Sequence, residues 1–475
     1  MENLTDNTAR NLVNLMKTNQ ITVQKVMEQH LNKINELNPK LNALVNVDFE
    51  SALKRAKELD ELPVDKKRGA LFGLPIAIKD IHHVKGFPTT YGCTGLKDNY
   101  TNQDEIAVER LKAEGAIIIG KTNVPEFASG AHTFNDLFGL TKNPYDLSKT
   151  AGGSSGGAAV GVATGMLPLA DGTDMGGSLR YPASYNNIVG LRPSAGLVPD
   201  LKQAMYSPLQ VQGPMARNVD DLLLMLSVVA GETTRSPLSI KTSGKEFNYP
   251  LDMDIKGFKI AYSVDFNGNI SVEDEVREGL SHQVDVLKNL GCEVVEDCPD
   301  FSHVDEAFQT LRAFEMEMTW SDIFDKHEKD MKPSLVWNIN KGKGLKGVDI
   351  GRAEKIRHTL FHEMDRFFNK YDAFVLPVSQ VVPFDGKYEY PQEINGKKVE
   401  NYVDWMKSCY YITATGCPAL SVPGGFTKDG LPLGLQIVTA FRKDLKALRI
   451  GKAFEFTTNY SDIRPTFKES VDSDI

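Results

Sequence analysis

The sequence predicts an α/β protein built on one large, twisted, mixed β-sheet covered by helices on both faces. Three observations predict it. Short apolar runs rich in β-branched residues alternate with stretches of helical period. The runs are apolar along their whole length, as in strands buried on two faces. No internal repeat, low-complexity block or linker interrupts the 475 residues, so one domain spanning 1–475 is expected.

The elements follow in order. Thr22 is placed to cap a helix whose buried face is Val23, Val26, Met27, His30, Leu31 and Ile34, with Pro39 as its stop. LNALVNVD (41–48) reads as extended and 51–62 as helical. GLPIAIKD (73–80) is an apolar run bounded by Gly and closed by a charge, hence a buried strand; 104–114 reads as a helix and AIIIG (116–120) as a second buried strand. Residues 151–200 are dominated by Gly, Ser, Ala and Thr yet are too apolar for a linker, and AAVGVATGM (158–166) reads as a small-residue helix. FKIAYS (258–263), CEVVE (292–296), AFVLP (373–377) and LGLQIV (433–438) read as strands, 273–290 and 443–457 as helices, and 230–250 and 380–400 as loop-rich.

Composition excludes several function classes. With 41% hydrophobic and 25% charged residues the chain can bury a large core and is neither a disordered tail nor a collagen-like fibre. A net charge of -9 supplies no basic field for a phosphate backbone, so nucleic acid is not an expected partner. No apolar run reaches the roughly 18 to 20 residues of a bilayer span. The amino terminus MENLTDNTARNLVNLM lacks the apolar core of a secretory signal, and the cytoplasm is the expected compartment. Cys93, Cys292, Cys298, Cys409 and Cys417 are scattered, without a CxxC pair or metal-ligand spacing, and are expected to be reduced core thiols.

Two motifs mislead. GAIIIGKT (115–122) matches the phosphate-loop pattern GxxxxGK[ST], which would make the chain a nucleotide-binding module. That loop must curl its amides around phosphates, whereas Ile117, Ile118 and Ile119 in succession are stiff and β-favouring. GGSSG (152–156) matches the GxSxG elbow with Ser154 as nucleophile, but NPYDLSKTAG (143–152) does not read as the strand an elbow needs; Ser154 or Ser155 as a helix cap is the plainer role. In GTDMGGSLR (172–180), Ser178 follows two glycines, an arrangement that either turns the chain or aims successive amides inward as an oxyanion hole. Lys79 and Lys121 each end a strand motif. Either, desolvated, is able to serve as an uncharged base to a serine, and either is able to pair with a neighbour such as Asp80; pattern alone does not choose.

Taken in order, GLPIAIKD, GKTNVPEF, the block AGGSSGGAAVGVATGMLPLADGTDMGGSLRYPAS, NIVGLRPSAGLVP and GCPALSVPGGFTKDGLPLGLQIV closely resemble the amidase signature family over most of the chain, least between 230 and 400. The resemblance implies the amidase-signature fold, a catalytic core at about 70–215, and an amidase that cleaves a carboxylic amide C–N bond through an acyl-serine, releasing carboxylate and amine or ammonia without a cofactor or metal. It implies a Ser-cisSer-Lys triad of nucleophile Ser178, bridging Ser154 and base Lys79, with Met175, Gly176, Gly177 and Ser178 amides as oxyanion hole and Ala128 and Gly130 near the acyl site. Holding Lys79 uncharged at pH 7 would take about 4 kcal/mol from burial.

The chain departs from the family at Met175, where Thr is frequent, and at Asn186 and Asn187, where a Cys-Gly pair is frequent; these departures, expected beside the pocket, bear on the substrate rather than the reaction. Trp320, Trp337, Tyr388 and Trp405 are candidates for the outer pocket wall. The expected partner is a small-molecule amide, and a homodimer is the expected assembly. The rival reading within the family is the glutaminase-type subunit of a tRNA-dependent amidotransferase, which passes ammonia to a partner chain; the region after Gly386 lacks the segment expected of that protein.

Overall fold

Along the strand Ala373–Pro377, Ala373 and Val375 project into one apolar core and Phe374 and Leu376 into another. Successive side chains of a strand point to opposite faces, so this sheet carries a core on each side. The computed structural model describes residues 3–67, 69–201, 204, 206–247 and 250–467.

Eleven strands form the sheet: β1 Leu44–Val45, β2 Pro75–Lys79, β3 Ile117–Thr122, β4 Leu169–Asp174, β5 Val189–Arg192, β6 Val211–Ala216, β7 Lys259–Tyr262, β8 Glu293–Glu296, β9 Ala373–Pro377, β10 Ala419–Phe426 and β11 Pro432–Val438. Their order across it is β1-β3-β2-β4-β6-β5-β10-β11-β9-β7-β8. The β2/β3, β2/β4, β7/β8 and β7/β9 pairs are parallel and the remainder antiparallel, a mixed sheet as predicted. Every residue of β2, β4, β6, β9 and β11 is buried, which requires cover on both faces.

Close approach packs the first half of the sheet. Helix Gly156–Ala163, buried throughout, packs on β2, β3, β4 and β6. It fits only because its side chains are small: a Cβ on Gly157 would lie 2.4 Å from both Ala43 O and Asn123 N. Three later helices, Val304–His327, Pro333–Lys343 and Gly347–Phe368, pack together. The first of them brings Arg312, Met316 and Trp320 beside the carboxyl end of β4.

The predicted strands and helices recur, with instructive differences. The first long helix, Val23–Leu41, runs through Pro39 instead of stopping there. A proline in the last turn forfeits one amide bond only, and the helix ends at Asn42 in the left-handed region (φ 52). A strand, Asp146–Thr150, does precede Ser154, contrary to the sequence reading, but it pairs with Lys142–Asn143 in a separate ribbon. GAIIIGKT holds β3, not a phosphate loop. Residues 380–400 contain only the short ribbon Glu393–Ile394 with Lys397–Lys398. All five cysteines are unpaired, four of them buried, and among the described residues no helix is long and apolar enough to cross a membrane.

Candidate active site

Lys79 is the last residue of β2, and the apolar run before it carries its stem into the protein, where it is 0% exposed. Its Nζ donates to Ser154 Oγ at 2.7 Å, Ser155 Oγ at 2.8 Å and Thr173 Oγ1 at 2.9 Å. Three hydroxyls thus receive the three protons of an ammonium, and no carboxylate touches it among the described residues. Burial drives the amine down to about 7, against the opposing pull of Asp171 and Asp174. Once the ammonium has lost a proton, Nζ has a lone pair, and one of the three hydroxyls becomes the donor.

The alternative lysine is committed elsewhere. Lys121, in β3, lies 3.1 Å from Asp80 Oδ1 and donates to His82 O at 2.8 Å and Thr89 Oγ1 at 3.2 Å. Burial lowers Lys121 too, but Asp80 beside it opposes that. Asp80 is therefore the partner of Lys121 and not of Lys79.

The serine loops come together at this lysine. The Gly153–Ser154 peptide bond is cis. Ser155 stands at the N-cap position of helix Gly156–Ala163 without making a side-chain cap, because its hydroxyl faces Lys79. Its amide donates to Ser178 O at 3.2 Å, which joins the GGSS loop to the loop of Ser178. Ser154, Thr173, Met175, Gly176 and Ser178 line one narrow cleft with about 30 Å³ of free volume, together with Ala128 and Gly130. Ser178 and Met175 are partly exposed in it, whereas Lys79 and Ser154 are sealed beneath.

A buried carboxylate shapes the Ser178 loop. Asp174 ends β4 and accepts from Gly177 N at 3.0 Å and Leu179 N at 3.2 Å, while Arg180 clasps it through Nε at 2.9 Å and Nη2 at 2.8 Å. Arg192 Nη1 donates to the Asp174 carbonyl at 2.6 Å. Burial alone would raise the Asp174 carboxyl, but Arg180 and Arg192 hold it far below the usual carboxylate range. Gly177, expected in the oxyanion hole, thus spends its N–H on Asp174. Its role is conformational: φ is +110, and a Cβ there would lie 2.5 Å from Cys409 Cβ and from the Tyr181 ring. The amides of Met175, Gly176 and Ser178 make no hydrogen bond to another described residue.

A second carboxylate braces Lys79. Asp171 Oδ1 accepts the Lys79 amide at 2.8 Å and Oδ2 meets His82 Nδ1 at 2.6 Å. Burial pushes Asp171 up, yet His82 and the Lys79 amide leave it below its ordinary value.

The sequence reading missed Ser155, Thr173, Asp171 and Asp174 as site residues, although all lie inside the quoted central block. Arg312 was also missed, because nothing marks one arginine in a charged helix. Among the four aromatic candidates, Trp320 lines the cleft, edge-on to Phe127 with centroids 4.9 Å apart. Trp405 is instead core, 1% exposed against Tyr181 and Phe384. Trp337 and Tyr388 are exposed and absent from the cleft wall. Asn186 and Asn187 are not beside the cleft either. Their amides brace loops, donating to Ala151 O at 2.7 Å and Tyr460 O at 2.7 Å. Among the described residues, no three His, Cys, Asp or Glu side chains converge as a metal site would require.

Comparison with known proteins gives one answer. The family model described as Amidase matches residues 25–448. An acylamidase of Rhodococcus erythropolis is 32% identical over 454 residues, covering 94% of each chain. A glutamyl-tRNA(Gln) amidotransferase subunit of Thermoanaerobacter pseudethanolicus is 30% identical over 485 residues, covering 96% of this chain and 97% of that one. The crystal structure of a bacterial aryl acylamidase of the amidase signature family superposes with a TM-score of 0.88 at 28% identity, covering 96% of this chain and 98% of its own. Matched along nearly its whole length by model and relatives alike, this chain belongs to the amidase signature family.

Proposed function

We propose that the chain hydrolyses small-molecule carboxylic amides through an acyl-enzyme on Ser178. In this reading Ser178 Oγ attacks the carbonyl carbon and passes its proton to Ser154 Oγ, while the Ser154 proton goes to the uncharged Lys79 Nζ. The carbonyl oxygen becomes an oxyanion and takes hydrogen bonds from the amides of Met175, Gly176 and Ser178, each donor contributing about 3–4 kcal/mol. Collapse breaks the C–N bond, and the proton on Lys79 returns through Ser154 to the departing amine. Water then repeats the sequence on the acyl-serine and releases the carboxylate.

The observation that carries this reading is the set of contacts around Lys79: a fully buried amine whose partners are three hydroxyls, one of them Ser154, in a cleft shared with Ser178. The acylamidase and aryl acylamidase relatives support simple acyl and aryl amides as the substrate class. The test is hydrolysis by the purified chain of acetyl and butanoyl para-nitroanilides, with Ser178→Ala as control. Release of nitroaniline by wild type only is the expected result; equal release by Ser178→Ala would refute the assignment.

The similarity to the amidotransferase relative favours a second reading, in which ammonia from glutamine passes to another chain. Ammonia release from glutamine only when a partner is added would establish it. Our reading also includes the cytoplasm as compartment, consistent with five unpaired thiols, and a homodimer, for which light scattering on the eluting protein is the check.

A further inference from the structure

Arg312, on helix Val304–His327, is 5% exposed and lines the same cleft as Ser154 and Ser178. Its Nη2 donates to Tyr402 Oη at 2.9 Å and Ser129 Oγ at 3.3 Å, and its Nη1 to Met175 Sδ at 3.4 Å. Its Nε is buried and meets no acceptor among the described residues. Two hydroxyls and a thioether are weak compensation for a guanidinium taken out of water.

Several other buried or half-buried cations are better served. Arg180 and Arg192 share Asp174, Lys121 has Asp80, and Lys332 has Glu389 at 3.0 Å. Arg217 donates to three backbone carbonyls, of Thr5, Asp6 and Asn7. Arg312, like Arg217, lies within 4.0 Å of no carboxylate among the described residues, but it lacks Arg217's carbonyl acceptors, and it is the cation on the wall of the reaction cleft. Its neighbours there, Ala128, Met316, Trp320 and Met406, offer no competing charge.

We propose that Arg312 anchors a carboxylate of the substrate, so that the preferred amides carry a carboxylate close to the scissile carbonyl. The proposal rests on the amidase reading above and narrows it. A carboxylate presents two coplanar oxygens to the guanidinium fork, gives Nε and one Nη an ionised acceptor, and leaves Tyr402 and Ser129 to orient the group. Arg312 is then a specificity residue and takes no part in proton transfer.

The test compares matched substrates within each protein. One pair places the charge on the acyl side: succinic acid mono-para-nitroanilide against the para-nitroanilide of isocaproic acid. The other places it on the leaving side: N-butanoyl-para-aminobenzoate against its methyl ester. In at least one pair the carboxylate member is expected to show kcat/KM about 10-fold to 100-fold above its neutral match, carried mainly by KM. Arg312→Met is expected to abolish that ratio and Arg312→Lys to restore part of it. Because the ratio is taken within one protein, a general loss of activity cancels. Equal rates within both pairs, or a ratio that survives Arg312→Met, would overturn the proposal while leaving the amidase reading intact. Failure of wild type to cleave any of the four substrates, with no fluorophosphonate adduct on Ser178, would remove both.

Discussion

The amide of Ser155 donates to the carbonyl oxygen of Ser178 across 3.2 Å, so the loop of Ser154, the proposed relay, and the loop of Ser178, the proposed nucleophile, are fastened backbone to backbone. Neither loop belongs to the main sheet, yet both are anchored to it. One sits against Lys79 at the end of β2, the other against Asp174 at the end of β4, and those strands are neighbours in the sheet. A short run of parallel pairing thereby sets the relative position of the two loops in the proposed reaction.

Asp174→Asn is expected to lower stability by about 3–5 kcal/mol, because it leaves Arg180 and Arg192 buried without their carboxylate. The pH dependence gives a second check. A carboxyl held below its unfolded value stabilises the protein above about pH 4, and that contribution is lost as pH falls through the native value. Urea unfolding of wild type from about pH 5 down to about pH 2 is expected to show the onset and growth of this loss, and Asp174→Asn to lack its share of it.

Lys79 gives the same sign of pH dependence in a higher window, because burial lowers its native value as well. With a native value near 7 and an unfolded value near 10.5, the unfolded chain binds the extra proton between those limits, so wild-type stability rises with pH across that window. The slope expected from this one group is up to about 1.4 kcal/mol per pH unit. Denaturation curves for wild type and Lys79→Met from pH 7 to 10 are expected to differ by that slope; parallel curves would mean an ordinary, charged lysine.

Gly177→Ala is expected to cost roughly 2–5 kcal/mol, from a left-handed backbone and from contact with Cys409 and Tyr181. Gly176→Ala, whose Cβ would meet Phe308 no closer than 3.6 Å, is expected to fold normally. Thermal melting of the two variants separates the conformational glycine from the permissive one.

Lys121→Met is expected to destabilise the protein by about 3–5 kcal/mol, since it leaves Asp80 buried and unpaired. Any folded fraction is expected to keep a Ser178 that reacts far faster than that of Lys79→Met. Saturable ATP binding lost in Lys121→Met would instead revive the phosphate-loop reading of GAIIIGKT.

Much of the fold was legible because β2, β3, β9 and β11 are each built on an apolar run, and because the helices 23–41, 49–60 and 274–289 keep a clear apolar stripe. Four inner strands were not. β4 (LADGTD), β5 (VGLR), β6 (VQGPMA) and β10 (ALSVPGGF) carry Gly, Pro and charge that local propensity assigns to turns. They are strands because neighbours on both edges and both faces leave the backbone no other way to pair, and Gly172 and Gly190 sit where a Cβ would collide with Ser155 Oγ and Leu179 O. The site was legible in parts. Lys79, Ser154 and Ser178 stand in ordered motifs, but the choice between Lys79 and Lys121 depends on where Asp80 points, and Arg312 lies far along the chain from every motif, in a helix of mixed charge.

Activation of Ser178 by a buried, uncharged Lys79 through Ser154 is tested most sharply by the pH dependence of Ser178 acylation by a fluorophosphonate, with the adduct located by peptide mass mapping. A single adduct on Ser178 is expected, with a rate that rises with pH around a midpoint near 7 and with loss of that midpoint and of most of the rate in Lys79→Ala. An adduct on Ser154, or a rate in Lys79→Ala that keeps both the magnitude and the midpoint of wild type, would contradict it.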